Sequence, residues 1–477
     1  MKSPTPEHIV IIGGGFSGVM TAVHLARLSQ RTLRITILNH GRPTGRGVAY
    51  GTRRGEHLLN VAARNMSAFP DQPGHFLQWL RTRSEYDMMP EEELREKFIP
   101  RIIYGDYLRS LMQHHLQGAS ELARVKADFV EAEVVDMEPQ EKGLLLMLAN
   151  GTTLHANRVV LATGNEPPAD LPGSQALAGH PGWVGNPWQS WEQSLPPPGG
   201  TIILLGTGLT TVDAIISLRA VGWQGRVHAV SRHGWLPHSH FRGIEYDAFP
   251  PAEMDLATLG LEKLMKLIEE HCSVLREKGA NPAIIVDKMR AHTQRIWANF
   301  SLADKKTFAR YHAARWNISR HRIAPEIHAQ LTTAQLTGWL RVHEGGIGRL
   351  EAIDARIRVH LTEDRSLEGD LVINATGPHT DFRKTRSVLL QNLMRRGLIA
   401  PDDMGMGVKV DADHVVVGAN GKRIPQLLAL GPLLRGTLWE TIAVPELRGQ
   451  TRRAAEALLE LEVAARRYEP VMMEYNI

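Results

Sequence analysis

The sequence predicts an α/β protein, and three observations carry that reading. A β-branched apolar run enters a glycine cluster and then a helical pattern at two places, residues 8–18 and 201–211. A short apolar strand closing on Ala-Thr-Gly also occurs twice, at 157–164 and 370–377. From about 255 to 331 the pattern is largely helical and polar, with few glycines. Together they describe two Rossmann-like dinucleotide-binding domains with a helical insertion.

The 477 residues amount to about three domain-sized units. The expected first unit takes residues 1–175 and returns over 346–477, and the second takes 176–345 with the insertion at about 255–331. Pro196-Pro197-Pro198-Gly199-Gly200 is the linker candidate, and a last long helix is expected over 437–468. Hydrophobic residues at 43% and charged residues at 22% exclude a disordered, collagen-like or coiled-coil chain. Lys and Arg number 55 against 51 Asp and Glu, a formal charge of +4 without long like-charge runs, so no nucleic-acid partner is expected. Cys272 is the one cysteine, which excludes an internal disulfide, a Cys-rich zinc site and a redox-active pair. None of the 22 histidines has HExxH-like spacing, and no metal is assigned. Residues 1–8 are polar and reach glycines after four apolar residues, too few for a secretion signal. The apolar stretch 201–218 is interrupted by Gly206, Gly208 and Asp213, so the expectation is no membrane and a cytoplasmic protein.

Gly13, Gly15 and Gly18 give the full GxGxxG spacing directly after a strand. There the bare backbone can approach a pyrophosphate, whose charge meets the open N–H groups and positive end of the next helix. A ribose-binding carboxylate is expected about 20 residues further on. The strand 34–38 instead ends in Asn39, whose amide either holds the ribose more weakly or only closes a turn. In the second loop Gly206 and Gly208 are in place, but Thr211 occupies the third position. Its second strand, 225–230, ends in Ser231 and Arg232 rather than an acid. A hydroxyl and a guanidinium suit a 2′-phosphate that a carboxylate would repel, so NADPH is expected over NADH; a solvated surface arginine is the other reading of Arg232.

With these motifs the chain resembles the two-dinucleotide-binding flavoproteins, and within them the FAD/NAD(P)-binding proteins related to flavin-dependent N-hydroxylating (class B) monooxygenases. The segments that carry the resemblance are, in order, 45–50 (GRGVAY), 58–61 (LLNV) with Met66-Ser67, Pro100-Arg101 with Tyr104-Gly105, 316–322 (WNISRHR), 431–436 (GPLLRG), Leu438-Trp439-Glu440 and 443–448 (AVPELR). The resemblance implies FAD in the first unit and NADPH in the second. It places Arg46, Asn60, Met66 and Ser67 along the FAD pyrophosphate and flavin ring, although singly Met66 reads as core and Asn60 as a turn cap. A helix beginning near Leu438 would aim its N-terminus at the flavin pyrimidine edge. Ser17, Val134, Ala162, Thr163, Gly164, Thr376, Gly377, Gly431 and Pro432 complete the implied cofactor contacts.

Such proteins pass hydride from NADPH to FAD and then onward, and a lone Cys272 removes the disulfide route. The leading expectation is oxygenation of a small nucleophile, N-hydroxylation of an amine or amino acid through a flavin hydroperoxide, with O2 as the second partner. The alternatives are an NADPH-dependent flavin reductase or dehydrogenase serving a quinone or protein acceptor, and a non-enzymatic FAD-binding module. A loose match to the oxygenase fingerprint lies at 178–183 (AGHPGW), which also reads as a surface turn. Asn60 and His321 are the candidate catalytic residues, and Trp316, Arg320 and Arg322 the candidate substrate contacts. Arginines and a histidine there can bind a substrate carboxylate, reach the nicotinamide nucleotide, or only complement a helix C-terminus. Self-association is left open.

Overall fold

The apolar run at the start of the chain becomes the strand Glu7–Ile12, buried in all but its first residue. In this computed structural model, which describes residues 6–117 and 124–461, that strand lies inside a six-stranded sheet. The order is Val415–Val417, Arg423–Ala429, Arg158–Leu161, Glu7–Ile12, Leu33–Asn39, Val125–Glu131. All neighbours are parallel except the first pair. The central strands Glu7–Ile12 and Arg158–Leu161 read as nearly unbroken apolar runs because both faces are covered. Helices Phe16–Leu28 and Val444–Leu458 bury Val19, Val23, Leu447 and Leu458 against one face. The antiparallel strands Val134–Gln140, Gly143–Leu148 and Thr153–Ala156, with helix Val388–Arg395, cover the other. Val134 itself is a core residue of that layer. The chain leaves Glu7–Ile12 to one side first and returns on the other, so its carboxyl end is a topological switch point.

A second sheet of five parallel strands runs Leu340–Glu344, Arg226–Ser231, Thr201–Leu205, Leu371–Asn374, Trp183–Val184. This corrects the expected boundary at residue 345. Leu371–Asn374 pairs with Thr201–Leu205 in the second unit, not with the first. The antiparallel strands Ile347–Ile353, Arg356–Leu361 and Ser366–Gly369 pack on Ile203, Leu205 and Val230 of the same unit. Each copy of the Ala-Thr-Gly strand therefore closes its own sheet, because its apolar residues find the glycine-loop strand beside which they are wholly buried.

The helical stretch forms Gly260–Glu277, Ala283–Met289, Thr293–Asn299, Leu302–Thr307, Ala313–Arg320 and Pro325–Leu336. Leu261, Leu264, Ile285, Trp297 and Phe308 give much of it a core of its own, in which Cys272 is buried. Residues 178–183 form a turn in which the Gly182 N–H donates to His180 Nδ1 at 3.0 Å before the edge strand Trp183–Val184. The single helix expected over 437–468 is instead two, Arg435–Leu438 and Val444–Leu458; residues 462–468 lie outside the described residues. The break is at Trp439, whose φ of +61° forms a tight turn in which the Glu440 N–H donates to the Leu438 carbonyl at 2.7 Å.

Candidate functional site

The two glycine loops are built alike. Gly13 and Gly206 both sit at φ +113°, and a Cβ on either would collide with a carbonyl oxygen, that of Ala162 for Gly13 and that of Ala375 for Gly206. Each Ala-Thr-Gly turn is thus seated on the first glycine of its own unit. That gives Ala162, Thr163 and Gly164 in the first unit, and Thr376 and Gly377 in the second, a place beside the loop. At the third position the copies differ. A Cβ on Gly18 would strike the Gly13 carbonyl, whereas the buried Thr211 donates its hydroxyl to the Gly206 carbonyl at 2.8 Å. Thr211 closes its loop rather than facing a phosphate.

Gly15 and Gly208 precede helices Phe16–Leu28 and Leu209–Ala220, and no side chain caps either helix. No atom stands within 4 Å of where a Gly208 Cβ would be, and at Gly15 the nearest is Gly47 Cα at 3.7 Å. First-turn amides without an acceptor, facing space that a side chain would fill, fit a nucleotide phosphate at each loop. Ser17 and Gly431 meet here, since a Gly431 Cβ would lie 3.2 Å from Ser17 Oγ. Pro432 follows in the short helix Gly431–Leu434. Asn39 accepts from the Gly14 N–H at 2.9 Å and donates to the Arg42 carbonyl, so its amide ties the strand end to the loop. Arg46 pairs with Asp106 at 2.5 Å.

Between the units lies a cleft of about 1610 Å³. Asn60 and Met66 line it from the first unit, and Gly206, Gly208, Ser231, Arg232, Thr376 and Gly377 from the second. His321 and Asn317 come from the helical stretch, and Arg435, Trp439, Glu440, Ala443 and Val444 from the returning chain. Ser231 Oγ accepts from Thr207 Oγ1 at 2.8 Å, while Arg232 is exposed and has no ion-pair partner among the described residues. Polar contacts tie the units beside the cleft: Arg101 to Asp213 at 2.7 Å, His57 to Ser217 at 2.8 Å and Arg54 to Glu192 at 3.0 Å. The Asn60 carbonyl is bonded to His240 Nε2 at 3.0 Å, holding that segment against the second unit.

Several expected residues do not reach the cleft. Ser67 is fully buried and donates to the Gln72 carbonyl at 2.6 Å. Leu438 ends a short helix and points into the core; the helix N-terminus at the cleft belongs to Val444–Leu458. Arg320 and Arg322 are interior. Arg320 binds Glu446 at 2.9 Å and Glu440 at 3.1 Å, and Arg322 grips both oxygens of Asp287 at 2.6 Å. Trp316 Nε1 donates to Glu440 at 3.0 Å. None of these three lines the cleft, and each is engaged by an interior acid instead, Glu446 and Glu440 for Arg320, Asp287 for Arg322 and Glu440 for Trp316.

At the inner end of the cleft, burial and the Arg320 charge hold His321 down to about 4, so its imidazole is neutral at pH 7. Burial pushes the Glu440 carboxyl up, but Arg320 and its other neighbours outweigh that and hold it below the usual range. Sequence reasoning gave no role to Arg435, Trp439 or Glu440, although the segment containing them was singled out. Among the described residues no three or more His, Cys, Asp or Glu gather to hold a metal, and no helix is long and apolar enough to cross a membrane.

The sequence profile of a family described as FAD-NAD(P)-binding matches residues 10–166. The uncharacterized protein YdhS of Escherichia coli (strain K12) is 22% identical over 222 residues, 44% of this chain and only 39% of its own length. The ornithine hydroxylase PvdA from Pseudomonas aeruginosa is similar in structure, with a TM-score of 0.63 at 15% identity over 96% of this chain and 99% of that one. The ornithine N-hydroxylase KtzI of Kutzneria sp. 744, solved with reduced FAD, NADP+ and L-ornithine, gives 0.62 at 16% identity over 96% and 99%. The profile match thus covers the first glycine-loop unit, and the chain as a whole shares its fold with these two hydroxylases.

Proposed function

We propose that the protein is an FAD- and NADPH-dependent monooxygenase of the cytoplasm that N-hydroxylates a small amine or amino acid, with O2 as co-substrate. The observation that carries this reading is that both dinucleotide units serve one cleft, so that the second unit's open glycine loop faces the first unit's Asn60 and Met66. Two relatives that share the fold over nearly the whole chain are, by name, ornithine hydroxylases.

The uncapped first turn of Phe16–Leu28, with Gly13 and Gly15, would hold the FAD pyrophosphate, and Arg46 would stand near it. The uncapped Leu209–Ala220 turn, with Gly206, Gly208, Ser231 and Arg232, would hold NADPH. When bound and reduced by NADPH, FAD supplies the electrons that activate O2, so that one oxygen atom goes to the substrate nitrogen and the other leaves as water. The N-terminus of Val444–Leu458 presents its positive end to the cleft wall, where it favours a neighbouring negative charge. His321, kept neutral, can exchange a hydrogen bond at the inner end, Asn60 offers an amide for orientation, and Trp439 excludes water beside them.

The test is anaerobic reduction of the purified flavoprotein by NADPH, followed by O2 with a panel of amines. Hydroxylamine product in step with NADPH consumed supports the reading. Flavin that NADPH reduces but that returns only peroxide with every amine overturns it in favour of a reductase or dehydrogenase.

A further inference from the structure

Arg435 differs from the interior arginines that lie outside the cleft lining. Arg290 and Arg320 close on Glu446 at 2.6 and 2.9 Å, and Arg322 on Asp287 at 2.6 Å. Arg435 begins the short helix Arg435–Leu438 and lines the cleft, yet its guanidinium has no hydrogen-bond or ion-pair partner among the described residues. The acid whose charge acts on it, Glu440, already receives Arg320 at 3.1 Å and Trp316 at 3.0 Å. A guanidinium stays charged throughout the physiological range, and a cation withdrawn from water without an anion is costly. Burial accordingly pulls the Arg435 pKa below its ordinary value. The planar fork matches a carboxylate at two points. Both phosphate-binding loops have their own donors, the uncapped helix turns after Gly15 and Gly208, with Arg232 beside the second. Arg435 instead shares its end of the cleft with His321, Trp439 and Glu440.

Resting on the proposed function, we propose that Arg435 anchors the carboxylate of the substrate, which makes that substrate an amino acid rather than a diamine. The carboxylate sits on the guanidinium, and the reacting amine is left toward the open body of the cleft. Arg435 thus sets specificity by charge, where the sequence pointed to Arg320 and Arg322.

The experiment titrates the FAD-loaded protein, without NADPH, with L-lysine against cadaverine and L-ornithine against putrescine, pairs that differ by the carboxylate alone. Tryptophan fluorescence and flavin absorbance report binding. The amino acid of at least one pair should bind about tenfold or more tightly than its diamine. Arg435→Gln should abolish that preference and Arg435→Lys retain part of it, with FAD content and the KM for NADPH unchanged. Equal affinity within both pairs, or no response to any of the four, overturns the assignment. So does an Arg435→Gln protein that loses FAD or NADPH affinity, which would give Arg435 to a cofactor phosphate. Because the titration needs neither O2 nor turnover, failure of the oxygenation reading leaves the carboxylate preference measurable.

Discussion

Arg320 and Glu446 meet 2.9 Å apart in the interior, and Arg290 closes on the same carboxylate oxygen at 2.6 Å. Arg320 ends the helix Ala313–Arg320, and Glu446 stands in the first turn of Val444–Leu458, so the pair fastens the helical stretch to the helix that begins at the cleft. Removing one member strands a buried charge. Glu446→Gln should cost about 3–5 kcal/mol, read as a lower midpoint in urea. A midpoint unchanged from the wild type would show the pair to be dispensable.

Gly206→Ala tests the second loop separately from the first. Its Cβ would collide with the Ala375 carbonyl at a φ that L-residues rarely adopt, while Gly13 and its contacts are left alone. The variant should keep its FAD and lose NADPH affinity by about tenfold or more, measured as the rate of anaerobic flavin reduction against NADPH concentration.

Arg232→Ala should lower kcat/KM for NADPH by about tenfold or more and leave that for NADH nearly unchanged, since only the former has a 2′-phosphate. The side chain is exposed, so the urea midpoint should not move.

Acid should unfold the protein through its buried histidines. Burial is the main cause that holds His24, His240 and His414 each down to about 3. In the unfolded chain each takes up a proton near pH 6.5, so between pH 6.5 and about 3 the unfolded state binds more protons and stability falls as pH falls. Each group contributes up to about 1.4 kcal/mol per pH unit in that window. Urea midpoints at pH 7.5 and 5 should differ accordingly, and His414→Gln should flatten the slope.

Asn39→Asp would restore the acid usual at this position, yet it should weaken FAD retention. A carboxylate still accepts from the Gly14 N–H but faces the Arg42 carbonyl without a proton to give it. The fraction of FAD retained through dialysis measures the effect.

The glycine loops were legible in the sequence because their constraint is local: a strand, a left-handed glycine and a helix start occupy about ten consecutive residues. What touches them was less so. The Ala-Thr-Gly strand at Leu371–Asn374 announced itself as a buried strand, but nothing in four apolar residues says which of two parallel sheets will receive it. Arg320 and Arg322 look in sequence like any cationic pair beside a cleft, and the acid that takes up Arg320 lies 126 residues further on. Leu438 missed its place because the reversal at Trp439 is a backbone torsion that no residue type there demands. The same blindness hid Arg435, since a free guanidinium is distinguished only by what does not surround it.

The first sheet is completed from both ends of the chain: Arg423–Ala429 docks on Arg158–Leu161 after the whole second unit has intervened. As the polypeptide leaves the ribosome, Arg158–Leu161 therefore waits as a bare sheet edge while the second unit acquires all five of its strands. That order of assembly makes the second unit the earlier one able to fold to completion, and delays a finished first unit until Arg423–Ala429 has been made. A chain released early, short of residue 423, would carry the second sheet whole and the first with an adhesive flank. Such fragments should be recovered as aggregates, and Arg423–Ala429 serves as the closing seam of the part made first.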